Sequence, residues 1–426
     1  MSKNPKILKS KPQREQCFLN VAHERALSGQ FFIVPSFEAG ILKELVVDGL
    51  LGYETPGYFI THDIYEEWAL EKIIEAEHLR KSSLQDFFNN LGESLPIRRS
   101  YRNWLSEKLL LNNDEIKKFI EESVKVKDIK PFWKDETLIS ILLSDYSEFF
   151  FKIFKEDLLQ DNQTFLKRLT FLLRLACKDI DIDFFQQLGL KDLNVFSLQY
   201  VLTKPRGSGW DCLIKFVYEN IDLIKIENIG FILPVTHDWN GKFKVGSTTK
   251  LSSLIALRFY KWVIEKNFYF SQDDSKQKML QTIIYGTSEI VEELKNIFDE
   301  ILKNRWKYHS DPYYDLVETI LTSFDGINIC SVFPEYVFKL ADLFWSSSHK
   351  KDERYYESGI YVEKYFGLEE IHHDFFPASA FQTPIFQLLH FTFRKTIDFI
   401  LSFVNKCTVH YANSRFDNSV YKIELY

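Results

Sequence analysis

The 426-residue chain carries 53 Lys plus Arg against 60 Asp plus Glu, a net charge of −7, which lacks the overall basic footprint of a nucleic-acid-binding protein. Its length is ample for a sizeable core and for about three domains; the abundance of Phe (39) and Tyr (21) beside 2 Met reads as coding bias. Five scattered cysteines (Cys17, Cys177, Cys212, Cys330, Cys407) without a Cys-x-x-Cys argue against a disulfide framework or structural zinc and fit a reducing cytosol.

Met1 to Lys11 is lysine-rich without an apolar centre, unlike a secretory signal. The most apolar windows, 139–154 and 388–404, are interrupted by charges and fall short of the ~20 apolar residues of a membrane span. A cytoplasmic protein with no membrane partner is expected. Residues 14–29 place Cys17, Phe18, Val21, Ala22 and Leu27 on one helical face that Gly29 stops. Ser36 is the expected N-cap of a helix with Phe37, Ile41, Leu42, Leu45 and Val46 inward, ended by Gly49. Leu50–Glu54 and Tyr58–Thr61 read as strands joined by Thr55-Pro56-Gly57. Helix, helix, hairpin is the order of a winged helix.

Another amphipathic helix then opens at Thr61-His62-Asp63. Helix N-termini present unpaired N–H groups and a partial positive charge, so His62 could hold a phosphate while Asp63 caps the helix. The plainer alternative is that Thr61 or Asp63 is only a cap and His62 only packs. Glu66, Glu67, Glu71, Glu75 and Glu77 give this helix an acidic, solvated side.

Apolar spacing of three and four predicts helices over 82–93, 97–111, 113–126, 134–144, 145–159 and 162–177, then 210–225, 251–266, 277–304, 311–323, 333–347 and 382–405. The stretches 226–250 and 350–382 read as loop-rich with small β elements, and Val420–Leu425 as a terminal strand. The expected fold is mainly α: a winged helix over 1–80, then an irregular α-solenoid or helical-repeat array over 81–205 and 206–426. The boundary near 180–210 is weakly signalled.

Several clusters suggest chemistry. Arg98, Arg99 and Arg102 beside Tyr101 and Trp104 could clamp a phosphate or carboxylate, or pair with Glu66 or Glu67 to lock the first two segments together. Arg206-Gly-Ser-Gly209 could bind an anion through backbone N–H groups, or Ser208 could cap the next helix. Asp179, Asp181 and Asp183 resemble a carboxylate comb, more simply a capping or edge-strand segment. His372-His373-Asp374 and His237-Asp238 offer metal-ligand types, but adjacent residues point apart and rarely share a metal; no metal site is assigned. Gly241-Lys-Phe-Lys-Val-Gly246 has phosphate-loop glycine spacing, yet Ser247 stands where the lysine must be. No Gly-x-x-x-x-Gly-Lys-Ser/Thr occurs, so catalysis is not expected of this chain.

Gly49-Leu-Leu-Gly52 followed by Tyr58-Phe-Ile-Thr-His-Asp-Ile-Tyr-Glu-Glu-Trp-Ala69 resembles the winged-helix segment of STAND NTPases, the switch ATPases that include NACHT and NB-ARC proteins. Arg98-Arg-Ser-Tyr-Arg-Asn-Trp-Leu105, Lys204-Pro-Arg-Gly-Ser-Gly-Trp210 and Phe376-Pro-Ala-Ser-Ala-Phe-Gln-Thr-Pro384 are similar to the bacterial antiviral (AVAST) members. His62-Asp63 falls where the family has Met-His-Asp, with Thr61 replacing a methionine that packs and does not ligate. The resemblance implies that His62 contacts the β-phosphate of ADP and holds the switch closed, a charged hydrogen bond of roughly 1.5–3 kcal/mol. ADP or ATP with Mg would sit on an NTPase module missing here, so the chain resembles the C-terminal, ligand-sensing part of such a protein. The implied partners are a phage protein as ligand, an attached effector, and further copies of the chain on activation.

Two other classes compete. A winged-helix DNA-binding regulator needs a basic recognition helix, but Phe37–Asp48 sets Lys43 against Glu38, Glu44 and Asp48. A metal-dependent hydrolase would have to use His372, His373 and Asp374.

Overall fold

Gly29 ends the first helix by its backbone: it takes φ 67° and its N–H returns to the Arg25 carbonyl at 2.9 Å, a left-handed stop that costs glycine no Cβ clash. This helix, α1 (Pro5–Ser28), begins well before the expected residue 14. The computed structural model describes residues 5–80, 83–111, 114–126, 128–182, 203–265 and 274–303, with isolated residues beyond. The described residues are mainly helical with two small antiparallel sheets, and no helix among them is long and apolar enough to cross a membrane. The chain divides into two compact units, Met1–Leu213 and Ile214–Tyr426.

In the first unit Cys17, Val21 and Ala22 of α1 are buried, but Leu27 is exposed and Ala26 takes the inward place. Helix α2 (Ala39–Val47) starts later than a Ser36 cap implies. The Phe37 N–H bonds to the Pro35 carbonyl at 3.0 Å, so 35–38 turn first, and Glu38 occupies the N-cap without a side-chain bond. Strands β1 (Leu51–Glu54) and β2 (Gly57–Ile60) pair in the register Leu51↔Ile60 to Glu54↔Gly57. Ile33 bridges Tyr58 through two backbone hydrogen bonds of 2.8 and 2.9 Å, tying the α1–α2 connection to the hairpin. A Cβ on Gly52 would lie 2.2 Å from the Phe59 ring across the sheet; glycine there lets the aromatic ring lie flat over the strand.

Helix α3 (Asp63–Leu79) closes this module. Cys17, Val21, Ala22, Leu42, Leu45, Leu51, Ile60 and Ala69 form its core, each large aliphatic contributing about 1.5–3 kcal/mol by leaving water.

Helices α4 (Leu84–Leu91), α5 (Leu95–Leu111), α6 (Asp114–Lys125) and α7 (Pro131–Leu143) follow. The Ser83 hydroxyl accepts from the Asp86 N–H at 3.1 Å and caps α4, and Pro131 opens α7 where its missing N–H is not needed. Between them Phe87, Phe88, Tyr101, Trp104, Phe119 and Trp133 form an aromatic core. The expected helix over 145–159 is two: α8 (Ser147–Ile153) and α9 (Lys155–Leu159) break at Phe154, whose ring stacks on Phe150 at 4.6 Å. Left-handed Asp161, Asn162 and Gln163 precede α10 (Thr164–Ala176), and β3 (Lys178–Ile180) pairs with β4 (Thr203–Pro205). Helix α11 (Gly209–Glu219) runs through the division between the units.

The second unit contains α12 (Ile229–Lys242), α13 (Ser247–Glu265), α14 (Asp274–Tyr285) and α15 (Val291–Lys303). The expected loop-rich stretch 226–250 is therefore largely helix. Pro234 and Gly241 disfavour one locally, but burial of Ile229, Ile232, Leu233 and Val235 overrides them. Fully buried Asn240 donates to the Ser253 hydroxyl and the Thr282 carbonyl, each at 2.9 Å, and so joins α12, α13 and α14. The elements expected at 333–347, 350–382, 382–405 and Val420–Leu425 lie largely or wholly outside the described residues.

Candidate functional site

The hairpin delivers His62 to the start of α3 along a fixed path. The Thr61 hydroxyl donates to the Gly49 carbonyl at 2.6 Å, and the Thr61 N–H reaches the Leu50 carbonyl at 3.3 Å. His62 itself is the N-cap, with extended backbone (φ −142°, ψ 134°) and no side-chain cap bond. Its imidazole is exposed and stands edge-on to Tyr65 at 5.4 Å. Asp63, expected as the cap, is instead the first helical residue, and its side chain is 85% exposed; it meets the helix dipole without capping.

Arg25 from α1 organises the acids beside His62. Its guanidinium, 15% exposed, lies 3.1 Å from Glu66 Oε2, 3.9 Å from Asp63 Oδ1, and 5.3 Å over the Phe31 ring. Burial pushes the Glu66 carboxyl above its ordinary value, and Arg25 opposes that. Trp68 and Ile64 on α3, and Phe31, stacked on Phe59 at 5.3 Å, are large exposed apolar groups of the same module. Chemically, an exposed imidazole beside first-turn N–H groups can donate hydrogen bonds to an anion. The Asp63 carboxylate repels one, and Arg25 offsets that only from 3.9 Å. Sequence reasoning missed Arg25; the available signal was a lone arginine one turn before the Gly29 stop.

The three arginines of α5 fan out to different partners. Arg98 donates to the Glu93 carbonyl at 2.9 Å and covers the Phe132 ring at 4.1 Å. Arg99 Nε lies 2.9 Å from Glu67 Oε1 and so links α5 to α3. Arg102 Nε lies 2.9 Å from Glu136 Oε2 on α7, close enough for charge attraction but poorly aligned for a hydrogen bond. Arg98 and Arg102 do not grip one group at contact distance, since Arg98 turns to the Glu93 carbonyl and the Phe132 ring, although both charges oppose the burial that raises the Glu136 carboxyl.

A further α3–α5 joint was not anticipated. Glu75 accepts from Trp104 Nε1 at 2.6 Å and from Lys108 Nζ at 2.7 Å. Burial raises its pKa, but the bonds from Lys108 and Trp104 together outweigh burial and hold the carboxyl below its ordinary value of 4.5. A depressed carboxylate stabilises the fold above the unfolded pKa and loses that contribution as pH falls through the folded one. Glu75→Gln is therefore expected to cost about 1 kcal/mol near neutrality. Urea unfolding at pH 7 and at pH 3 should show that cost shrinking in acid; equal losses at both would contradict the pairing.

The remaining candidates have structural occupations. Asp179 in β3 lies 3.1 Å from Arg206, and Asp181 lies 4.0 Å from Lys204; Asp183 is outside the described residues. The Ser208 hydroxyl donates to the Ser144 carbonyl, and Trp210 Nε1 donates to the Cys177 carbonyl at 2.8 Å, so Arg206-Gly-Ser-Gly209 is seated on the end of α7. His237 Nε2 contacts Gln281 Oε1 at 3.1 Å, with Nδ1 4.0 Å from Asp238. Gly241 lies in the last turn of α12, so the loop before Ser247 follows a helix instead of the strand a phosphate loop needs, and Glu289 accepts from the Gly246 N–H at 3.0 Å. Among the described residues no three His, Cys, Asp or Glu could hold a metal; His372, His373 and Asp374 lie outside them. Burial raises the Cys17 thiol to about 11 and the Cys177 thiol to about 12, above ordinary cysteine. No family model and no curated protein matches the chain.

Proposed function

We propose that the chain is the regulatory and ligand-sensing segment of a STAND-type signalling NTPase, of the antiviral AVAST kind. One observation carries this reading: the histidine of Thr61-His62-Asp63 stands exposed at the N-terminus of α3. The module it crowns runs helix, helix, hairpin, with Ile33 paired to β2, an arrangement that fits a winged helix. In this reading the imidazole donates to the β-phosphate of ADP on an NTPase module, for which the sequence has no Gly-x-x-x-x-Gly-Lys-Ser/Thr. In this reading the helices that follow the module supply the surface that recognises a protein, in this group a phage protein, and recognition drives assembly of further copies. The chain itself hydrolyses nothing and works in the cytoplasm.

The test uses the switch assembled with its NTPase module, purified from cells that make both. His62→Ala is expected to shorten the residence of bound ADP tenfold to a hundredfold, the equivalent of roughly 1.5–3 kcal/mol, and to raise basal signalling. The melting temperature should stay unchanged, because the ring is exposed. ADP retention and basal signalling equal to wild type would sink the reading.

A further inference from the structure

We propose that Glu66 is a proton-operated latch on Arg25: its carboxylate draws the guanidinium away from Asp63, and on taking up a proton it leaves Arg25 to Asp63, next to His62. The site regulated is the one proposed above, and in that respect alone the inference rests on that reading; the proton site belongs to the chain itself.

Glu66 lies one turn into α3, against α1, and is 8% exposed. Its Oε2 accepts from Arg25 Nη1 at 3.1 Å, whereas Oε1 is buried and has no hydrogen-bond partner among the described residues. That oxygen has lost water without gaining a donor. A proton answers the deficit, because the neutral carboxyl is the cheaper form to bury.

The surrounding charges do not prevent this. Arg25 of α1 favours the carboxylate, while Asp63 and Glu67 on α3 itself oppose it, and burial, the largest influence, moves the carboxyl upward from 4.5. Arg99 of α5 lies 2.9 Å from Glu67 and is engaged there. The histidines nearest along the two helices are His62, exposed, one turn earlier on α3, and His23, half-buried, two residues before Arg25 on α1.

Arg25 is poised between two acids. Its guanidinium is 3.1 Å from Glu66 and 3.9 Å from Asp63, with the Phe31 ring 5.3 Å beneath it, so a short shift over that ring exchanges one partner for the other. The exposed Asp63 carboxylate repels an anion at the His62 end, and a closer Arg25 offsets that repulsion. Proton uptake at Glu66 therefore tightens the hold on a phosphate.

The experiment has two arms. In the first, the full chain carries 13C at its glutamate carboxyls and is titrated by NMR from about pH 8 to about pH 4; the Glu66 signal is the one lost in Glu66→Gln. Its midpoint is expected above 4.5, with Glu75 below that value, and Arg25→Gln should raise the Glu66 midpoint further. A raised carboxyl adds stability as pH falls through its folded value and loses it as pH rises, so Glu66→Gln should melt no lower than wild type near neutrality. A midpoint at or below 4.5, or one that Arg25→Gln leaves unmoved, overturns the proposal.

The second arm uses the switch assembled with its NTPase module. Glu66→Gln releases Arg25 at any pH and should lengthen ADP residence about two- to fivefold, the opposite of His62→Ala. The gain should vanish in Arg25→Gln/Glu66→Gln and be absent from Glu67→Gln, which removes the same charge one residue away. Equal lengthening by Glu66→Gln and Glu67→Gln overturns the latch. Shortening by His62→Ala without lengthening by Glu66→Gln overturns it while the nucleotide reading stands, and no effect of either variant overturns both.

Discussion

Gly207→Ala is expected to lower the stability of the first unit by about 2–5 kcal/mol. Gly207 has φ 87°, a left-handed conformation that costs a residue with a Cβ about 1–2 kcal/mol. The added carbon would also lie 2.6 Å from the Leu142 carbonyl oxygen and 2.7 Å from the Leu143 Cα. Both are backbone atoms at the end of α7 and have no rotamer to escape into, so overpacking adds about 1–3 kcal/mol. The consequence spreads, because Ser208 and Trp210 anchor the same loop to Ser144 and Cys177. In a unit of this size the loss corresponds to roughly 5–15 °C in melting temperature. Gly230→Ala is the matched control: it lies in α12 with open space around the new carbon and should be neutral or stabilising by about 0.5–1 kcal/mol. If Gly207→Ala melts within about 2 °C of wild type, the seating of this loop is misjudged.

Removing Trp133 should be at least as damaging. Its side chain is 1% exposed; it stacks on Phe88 at 4.9 Å and meets Tyr101 edge-on at 5.1 Å. The Tyr101 hydroxyl lies 2.8 Å from the Thr137 hydroxyl, which bonds in turn to the Trp133 carbonyl at 2.9 Å; the tryptophan thus sits where α4, α5 and α7 converge. Trp133→Ala leaves a cavity the neighbouring rings cannot fill and should cost about 3–5 kcal/mol by urea unfolding, while Trp133→Phe keeps a ring in place and should cost less than half of that. A loss below about 1 kcal/mol for alanine would mean that the aromatic core is not what joins these helices.

The same two sites show where local pattern stops being informative. Lys204-Pro-Arg-Gly-Ser-Gly-Trp210 contains glycines, a serine and an arginine, the ingredients of an anion loop, and local chemistry cannot separate that use from a packing joint. The separation comes from Leu142, Ser144 and Cys177, far away in the chain, which occupy the loop's backbone and hydroxyl. Arg98, Arg99 and Arg102 behave likewise: their spacing on one helix suggested a shared ligand, but their closest contacts are the Glu93 backbone carbonyl, the Glu67 carboxylate and the Glu136 carboxylate in turn.

What the amino-acid order determined unaided is the set of features governed by neighbours within a few residues. Periodic apolar spacing made the chain mainly helical, Gly29 and Gly49 stopped two helices through positive φ, and Thr55-Pro56-Gly57 turned the hairpin. Everything that depends on which distant group arrives was settled by folding: the helix through Pro234, the break at Phe154, Arg25 beside Glu66 and Asp63, and Glu75 between Trp104 and Lys108. Propensity and capping act over a turn of backbone, whereas burial and ion pairing act between surfaces that only the packed chain brings together, and where the two conflict the larger energy of burial prevails.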